Sequence, residues 1–293
     1  MYTNLPFSWR CPSCHEKLTI MNNHWRCTNR HSFDIAKEAY VNLLLAQYKN
    51  SKDPGDNKDM VTARRAFLAQ DHYLPLANTI ADILHQHISQ VEPNASSLSF
   101  FDAGCGEGYY LEQIAQNILN RNSNDIKPKI YASGIDISKP AIQKAAKKCK
   151  SNSFSQFHFA VASCFDLPIL DKSQNAIIQI FAPAKTDEIL RVLQDQGIWI
   201  KVSPASDHLY ELKSMVYDKP AKHELDNNLP LEFSLASQQE LRFEISLTSS
   251  TDRQNLLMMT PFYWTISEAK KQKLLADLQT TQAHFKIQIF QKS

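Results

Sequence analysis

Three of the chain's six glycines fall in one five-residue stretch, Gly104-Cys105-Gly106-Glu107-Gly108, straight after an apolar run, Leu98 to Phe101, that ends in Asp102. A strand ending in an acid and turning through glycines into a helix is how a doubly wound sheet receives a nucleotide-like cofactor. Glycine suits such a turn because the backbone must bend tightly and approach the ligand without a Cβ in the way. A second acid, Asp136, closes the apolar run from Ile130 to Ile135, and a further turn follows at Ala162-Ser163-Cys-Phe-Asp-Leu-Pro168.

A different chemistry is written at the N-terminus. Cys11-Pro-Ser-Cys14 and Cys27-Thr-Asn-Arg-His31 give the spacing C-x2-C-x12-C-x3-H. Two close pairs on tight turns can set three thiolates and an imidazole at the corners of a tetrahedron, as in closed structural zinc sites. Four ligands leave no open position, so the expected metal is structural Zn2+. His15 is a weaker competitor for the fourth place. Between the pairs, Leu18 to Arg26 reads as a short hairpin anchored by Trp25. Arg10, Lys17, Arg26 and Arg30, with Trp9 and Trp25 interleaved, suggest a small RNA-contacting platform, although Trp25 fits the module's core better.

These residues need elements to hold them. From residue 97 onward strand and helix alternate, with strands near 98–102, 130–135, 156–161, 175–181 and 197–203 and helices near 108–119, 139–149, 184–194 and 207–216. That order predicts an α/β fold with a parallel sheet and right-handed crossovers. A strand at 240–248, helices near 252–259 and 267–280, and a strand at 284–290 complete the pattern. Ahead of it, Asp34 to Gln47 has helical spacing, Lys49 to Asp56 is a polar loop, Asp56 or Asn57 caps a helix through Leu68, and another helix starts at Pro75 and runs to about Val91. The expected division is a zinc-binding RNA-recognition module at 1–35, a helical connector at 36–75 and a catalytic domain at 76–293.

The chain has 293 residues and a net charge of +2, unevenly spread: residues 1–65 carry ten Lys/Arg against six Asp/Glu. A basic head on a near-neutral body points to a polyanion held at the N-terminus. No apolar run approaches the ~20 residues that span a bilayer, and polar residues surround Cys11 and Cys14 where a signal peptide would need its apolar core. No membrane partner and a cytoplasmic location are therefore expected, a setting in which clustered cysteines suggest metal.

The loop reads G-x-G-x-G, and Asp102 to Gly108 resembles the first motif of the class I S-adenosylmethionine-dependent methyltransferases. Asp136 and the 162–168 turn resemble the family's next two motifs, with Ser163 where an Asp is usual. Glu188-Ile-Leu-Arg-Val-Leu193 before Gly197 resembles the stretch ahead of the fifth strand. The resemblance implies a class I (Rossmann-like) doubly wound sheet that binds S-adenosylmethionine through Tyr73, Asp102, Gly104, Gly106, Glu107, Gly108, Tyr109, Asp136, Ser163 and His208. Asp136 would accept the ribose hydroxyls, and Tyr73 would close over the cofactor or serve as a core aromatic.

With the zinc module included, the whole chain is similar to the bacterial 23S rRNA (guanine-N1)-methyltransferases. The words that carry this are Cys11-Pro-x-Cys14, Phe33-Asp-x-Ala-Lys-Glu38, Tyr40-Val-Asn-Leu-Leu44, Asp53-Pro-Gly-Asp56, Arg64-Arg-Ala-Phe-Leu68, Ala182-Pro183, His208-Leu-x-Glu-Leu-Lys213 and Met259-Thr-Pro-Phe262. The resemblance implies methylation of one guanine N1 in a hairpin loop of 23S rRNA by a homodimer. The departures are Ala103, where an aliphatic residue is common, and a polar linker at 120–129. The residues weigh in independently: Phe181-Ala182-Pro183-Ala184 has no polar side chain to hold an exocyclic amine, which favours a ring nitrogen. Guanine N1 must lose a proton, so a general base is expected, with His208 and Glu211 as candidates; His208 contacts the cofactor in the alternative reading. Phe181, Tyr110 and Tyr109 are candidates to receive the unstacked base. Arg64 and Arg65 contact RNA or lie on a solvated face. The competing function is methylation of a small molecule or protein, with the zinc module used for dimerisation.

Overall fold

The computed structural model describes residues 9–48, 55–91, 96–121, 128–224 and 229–293. Most of the expected 49–56 loop and of the 120–129 linker lies outside the described residues. The chain begins with a three-stranded antiparallel sheet, β1 (Thr19–Met21), β2 (His24–Arg26) and β3 (Ser32–Asp34). β4 (Tyr40–Asn42), α1 (Lys58–Leu68) and α2 (Leu74–Val91) lead into the alternating part. This comprises β5 (Ser97–Ala103), α3 (Tyr109–Arg121), β6 (Lys129–Asp136), α4 (Lys139–Lys148), β7 (Ser155–Val161), β8 (Gln174–Ile180), α5 (Thr186–Val192) and β9 (Leu193–Pro204). α6 (Tyr210–Val216), β10 (Phe233–Ser246), α7 (Ser250–Met258), α8 (Glu268–Asp277) and β11 (Thr280–Lys292) follow.

Among the described residues the main sheet has eight strands in the order β10-β11-β9-β8-β5-β6-β7-β4. Strands β4 to β9 pair in parallel, while β11 runs antiparallel to both β9 and β10. The order reverses between β5 and β8, so a crevice opens at their carboxyl ends, the usual ligand site of such sheets. Local sequence sets the helix starts. Asn57 Oδ1 accepts the N–H groups of Asp59 and Met60, and the Ser138 hydroxyl accepts that of Ala141, as N-caps do.

Strand alternation sends successive side chains to opposite faces of the sheet. Phe100 packs into the core formed with α2, α3, α4 and α6, and Phe101 into the core on the other side. That second face is covered by α5 together with the zinc module: Trp9, Leu18 and Trp25 share a core with Phe101, Ile135 and Ile169. The sheet is thus wrapped on both sides, but on one side the metal-binding module takes part of the place of a helical layer.

Two expectations are corrected here. Asp34 to Gln47 is not a helix, because its middle is β4, paired in register Tyr40↔Phe159 with β7 at the sheet edge. Tyr40 and Val41 point into opposite cores, which is the period of a strand. Residues 36–75 therefore do not stand apart as a helical connector, since β4 belongs to the main sheet and α1 packs on α7 and α4.

Candidate active site and metal centre

Cys11, Cys14, Cys27 and His31 converge, their ligand atoms all within 4.8 Å of one another. Cys14 Sγ lies 3.6 Å from Cys27 Sγ, and His31 Nδ1 lies 3.3, 3.4 and 3.6 Å from the sulfurs of Cys14, Cys27 and Cys11. Zn–S bonds of about 2.3 Å and a Zn–N bond of about 2.0 Å in a tetrahedron demand edges of roughly 3.5–3.8 Å. The donor set and its dimensions fit a zinc ion. The Glu16 backbone N–H, helped by the side chains of Asn29, His31 and Cys11, brings the Cys14 thiol down to about 6, while burial pushes the Cys11 thiol up to about 11.

The RNA platform expected beside this site is only partly there. Trp9 is 1% exposed and Trp25 is buried, so neither offers a face to a base. Arg10 is buried too. Its backbone N–H donates to Pro168 O and its guanidinium faces Asp166 and Asp171, clamping the module to the 162–171 segment. Lys17, Arg26 and Arg30 are exposed.

The crevice at the carboxyl ends of the parallel strands is a cleft of about 560 Å³, within the roughly 300–1,000 Å³ of small-molecule sites. Of the expected cofactor residues, Tyr73, Gly104, Gly106, Glu107, Tyr109, Asp136, Ser163 and His208 line it. Gly106 has φ +54°, and a Cβ there would meet nothing within 4 Å. Its side-chain direction is open cleft, where a ligand can approach the bare backbone. Gly104, at φ +94°, is required for another reason: a Cβ would stand 2.4 Å from the Ala182 Cβ.

Asp136 holds the loop. Its Oδ2 accepts the Gly106 N–H at 3.0 Å and its Oδ1 the Ser138 N–H at 2.7 Å, which leaves each oxygen a further lone pair for a ligand. Burial raises its pKa, partly offset by those two amides. Asp102, 1% exposed, lies outside the cleft lining, with Oδ1 unpartnered. Burial, followed by the charge of Asp136, pushes its carboxyl up to about 8. The hydroxyls of Tyr73 and Tyr109 are buried without a partner. Unsatisfied buried groups around an open crevice are what a polar ligand would complete.

The structure moves three expected site residues elsewhere. Asp102 is buried outside the cleft lining, and Gly108 faces α4, where a Cβ would sit 3.0 Å from Cys149 Sγ. Glu211 is turned from the cleft onto β11: its Oε2 accepts from Thr281 Oγ1 at 3.0 Å and Gln282 N at 2.9 Å. A carboxylate spent on capping a strand is not a base for the cleft.

His208 remains at the cleft wall. Its Nδ1 accepts the backbone N–H of His284 at 3.2 Å, and burial, reinforced by His223, His284 and Lys213, pushes its pKa down to about 3. Phe181 stands beside it at 5.6 Å between ring centroids, 46% exposed and with φ +54°. A left-handed Phe is rare, and such strain concentrates at functional sites.

Sequence reasoning passed over the strap across the mouth. Asp56 and Arg64 form an ion pair there, the Ser138 hydroxyl donates to Asp56 O, and Arg64 Nη2 donates to Met259 O at 3.4 Å. Arg64 therefore lines the cleft, and Arg65 turns to Glu107 at 3.6 Å. His223 and Phe165 were also missed, being isolated residues in loops with no motif around them. Cys105 and Cys149 are buried free thiols, and Cys164 lines the cleft with its thiol pushed up to about 12 by burial. Among the described residues no helix is long and apolar enough to cross a membrane.

The family model for the RlmA N-terminal zinc ribbon matches residues 9–52, and a methyltransferase-domain model matches residues 94–259. The 23S rRNA (guanine(748)-N(1))-methyltransferase of Streptomyces fradiae is 33% identical over 206 residues, 69% of this chain and 65% of its own length, so the match spans just under two thirds of that relative. A putative 23S rRNA (guanine-N(1)-)-methyltransferase of Micromonospora griseorubida is 29% identical over 92% of this chain and 91% of its own, and a Bacillus subtilis (strain 168) protein of the same description, YxjB, is 29% identical over 87% and 86%. With a cleft whose loop, acids and unpartnered hydroxyls fit S-adenosylmethionine, and a tetrad that fits zinc, the chain belongs to the methyltransferase-domain family and carries an RlmA-type zinc ribbon ahead of that domain.

Proposed function

We propose that the protein methylates N1 of one guanine in a hairpin loop of 23S rRNA, acting in the cytoplasm as a homodimer. The observation that carries this reading is the extent of the likeness: the Micromonospora relative, named for guanine-N1 methylation of 23S rRNA, aligns over 92% of the chain, zinc ribbon and catalytic domain together. The site agrees in kind. The turn after β8, Phe181-Ala182-Pro183, offers the cleft an exposed ring and no polar side chain to grip an exocyclic amine. Exposed Lys17, Arg26 and Arg30 on the zinc module suit phosphate contacts.

S-adenosylmethionine, when bound, supplies an electrophilic methyl group on a sulfonium. The chain's contribution is placement. Gly106 bares the backbone, Asp136 offers its free lone pairs to hydroxyls, Tyr73 and Tyr109 hold buried O–H groups, and Phe181 offers a flipped base a stacking surface.

Labelled methyl transfer onto 23S rRNA lacking the modification, followed by nucleoside analysis, tests this reading. Label recovered as 1-methylguanosine supports it. Label at another atom, or on protein or a small molecule only, overturns it. Sedimentation of the pure protein tests the dimer.

A further inference from the structure

We propose that His208 is a hydrogen-bond donor and not the proton acceptor: its Nε2–H binds the O6 carbonyl oxygen of the target guanine, a role that rests on the guanine-N1 reading above. The sheet dictates the tautomer. Neutral imidazole carries one N–H, and the nitrogen that accepts a hydrogen bond is the one without it. The His284 amide is fixed in β11 and points at His208 Nδ1, so the proton sits on Nε2. A proton added to Nδ1 would face that same N–H head-on.

The surroundings also refuse a cationic ring. His223 lies 6.0 Å away, Lys213 adds a positive charge from α6, and β11 contributes His284. Among the described residues the nearby carboxylates are taken: Asp207 pairs with Lys222 and Arg242, and Glu240 with His284. Phe181 and Tyr73 present rings and no charge. The only lone pair of His208 is therefore committed to the backbone, and a base needs a free one. The two nitrogens of an imidazole point nearly opposite ways, so Nε2 faces away from the His284 amide, at a residue that lines the cleft.

A donor there answers what the reaction asks for. As the bond from N1 to the methyl carbon forms, the sulfur–carbon bond breaks and its electrons stay on sulfur, while the N1 proton passes to water. The charge left by that proton is shared between N1 and O6. A fixed N–H at O6 stabilises it in the manner of an oxyanion hole. The same donor rejects adenine, whose six-position amine would oppose it N–H to N–H. Phe181, 5.6 Å away, supports the base within reach.

Two measurements test the role. Nitrogen-15 NMR of histidine-labelled wild-type protein, which is independent of the substrate, should show His208 neutral at pH 6 with its proton on Nε2; a proton on Nδ1, or a charged ring, overturns the proposal. Single-turnover methyl transfer to unmodified 23S rRNA should fall ~10²–10³-fold in His208→Phe. In His208→Gln, whose amide keeps an N–H at the same reach, it should stay within about tenfold of wild type, with the shape of the pH profile unchanged. A Gln variant as inactive as the Phe variant would mark a base. A loss of S-adenosylmethionine affinity that matches the loss of rate would mark a cofactor contact instead. Should the wild type itself make no 1-methylguanosine, the function fails while the NMR result stands.

Discussion

The indole N–H of Trp199 in β9 donates to Oε1 of Gln179 in β8 at 3.1 Å, and the Gln179 amide donates onward to the carbonyl of Ala182. Both side chains are buried, and the carbonyl belongs to the turn that holds Phe181 at positive φ. The relay ties the strained turn to the sheet interior. Gln179→Leu leaves a buried indole N–H and a carbonyl unmatched, at about 1–3 kcal/mol. Urea denaturation should register that loss. Methyl-transfer rate should fall at least several-fold with little change in S-adenosylmethionine affinity, since Gly106 and Asp136, which are proposed to meet the cofactor, are untouched.

Metal removal reaches the whole enzyme. Because Trp9, Leu18 and Trp25 share a core with Phe101 and Ile135, extracting zinc uncovers one face of the main sheet. A chelator strong enough to release about one zinc per chain should lower the melting temperature of the entire protein in a single transition. An untouched second transition for the catalytic domain would contradict this shared core.

Tyr73 separates stability from affinity. Its hydroxyl is buried and unpartnered, so Tyr73→Phe should leave the fold as stable as before or slightly more so. If the hydroxyl awaits the ligand, S-adenosylmethionine affinity falls ~2- to 10-fold, the value of one net hydrogen bond of about 0.5–1.5 kcal/mol. Calorimetric titration beside thermal melting reads both.

Cofactor binding should move a proton. The Asp102 carboxyl titrates near 8 in the free protein because of burial and Asp136. A cationic ligand favours its ionised form, so the bound value is lower. Affinity is then full above about pH 8 and declines as the pH falls through that value, by at most about tenfold per unit. At pH 7 binding releases up to one proton, visible in calorimetry across buffers of different ionisation enthalpy. Asp102→Asn should abolish the release.

Local signals were legible in the sequence and distant ones were not. Strands β5 to β9 announced themselves by apolar runs between turns, and the zinc ligands by spacing alone. Tyr40, Leu43 and Leu44 suit a helical face as well as a strand; only β7, far along the chain, makes Tyr40–Asn42 a strand. Arg10 and Trp9 read as an RNA platform because their partners, Asp166, Asp171 and the Ile169 bridge, lie more than 150 residues away. His208 and Glu211 looked equivalent as bases. β11 separates them, engaging the carboxylate of one and the Nδ1 of the other.

The position of β4 has a consequence for synthesis. A nascent chain emerges N-terminus first and tends to fold in that order, yet β4 must wait for β7, made well over a hundred residues later. The tryptophans beneath the ribbon wait as well, for Phe101, Ile135 and Ile169. During that interval the metal alone can keep the ribbon in shape. At the far end β11 inserts between β9 and β10, and it carries the amide that orients His208. Translation therefore delivers the His208 imidazole 76 residues before the backbone N–H that its Nδ1 accepts.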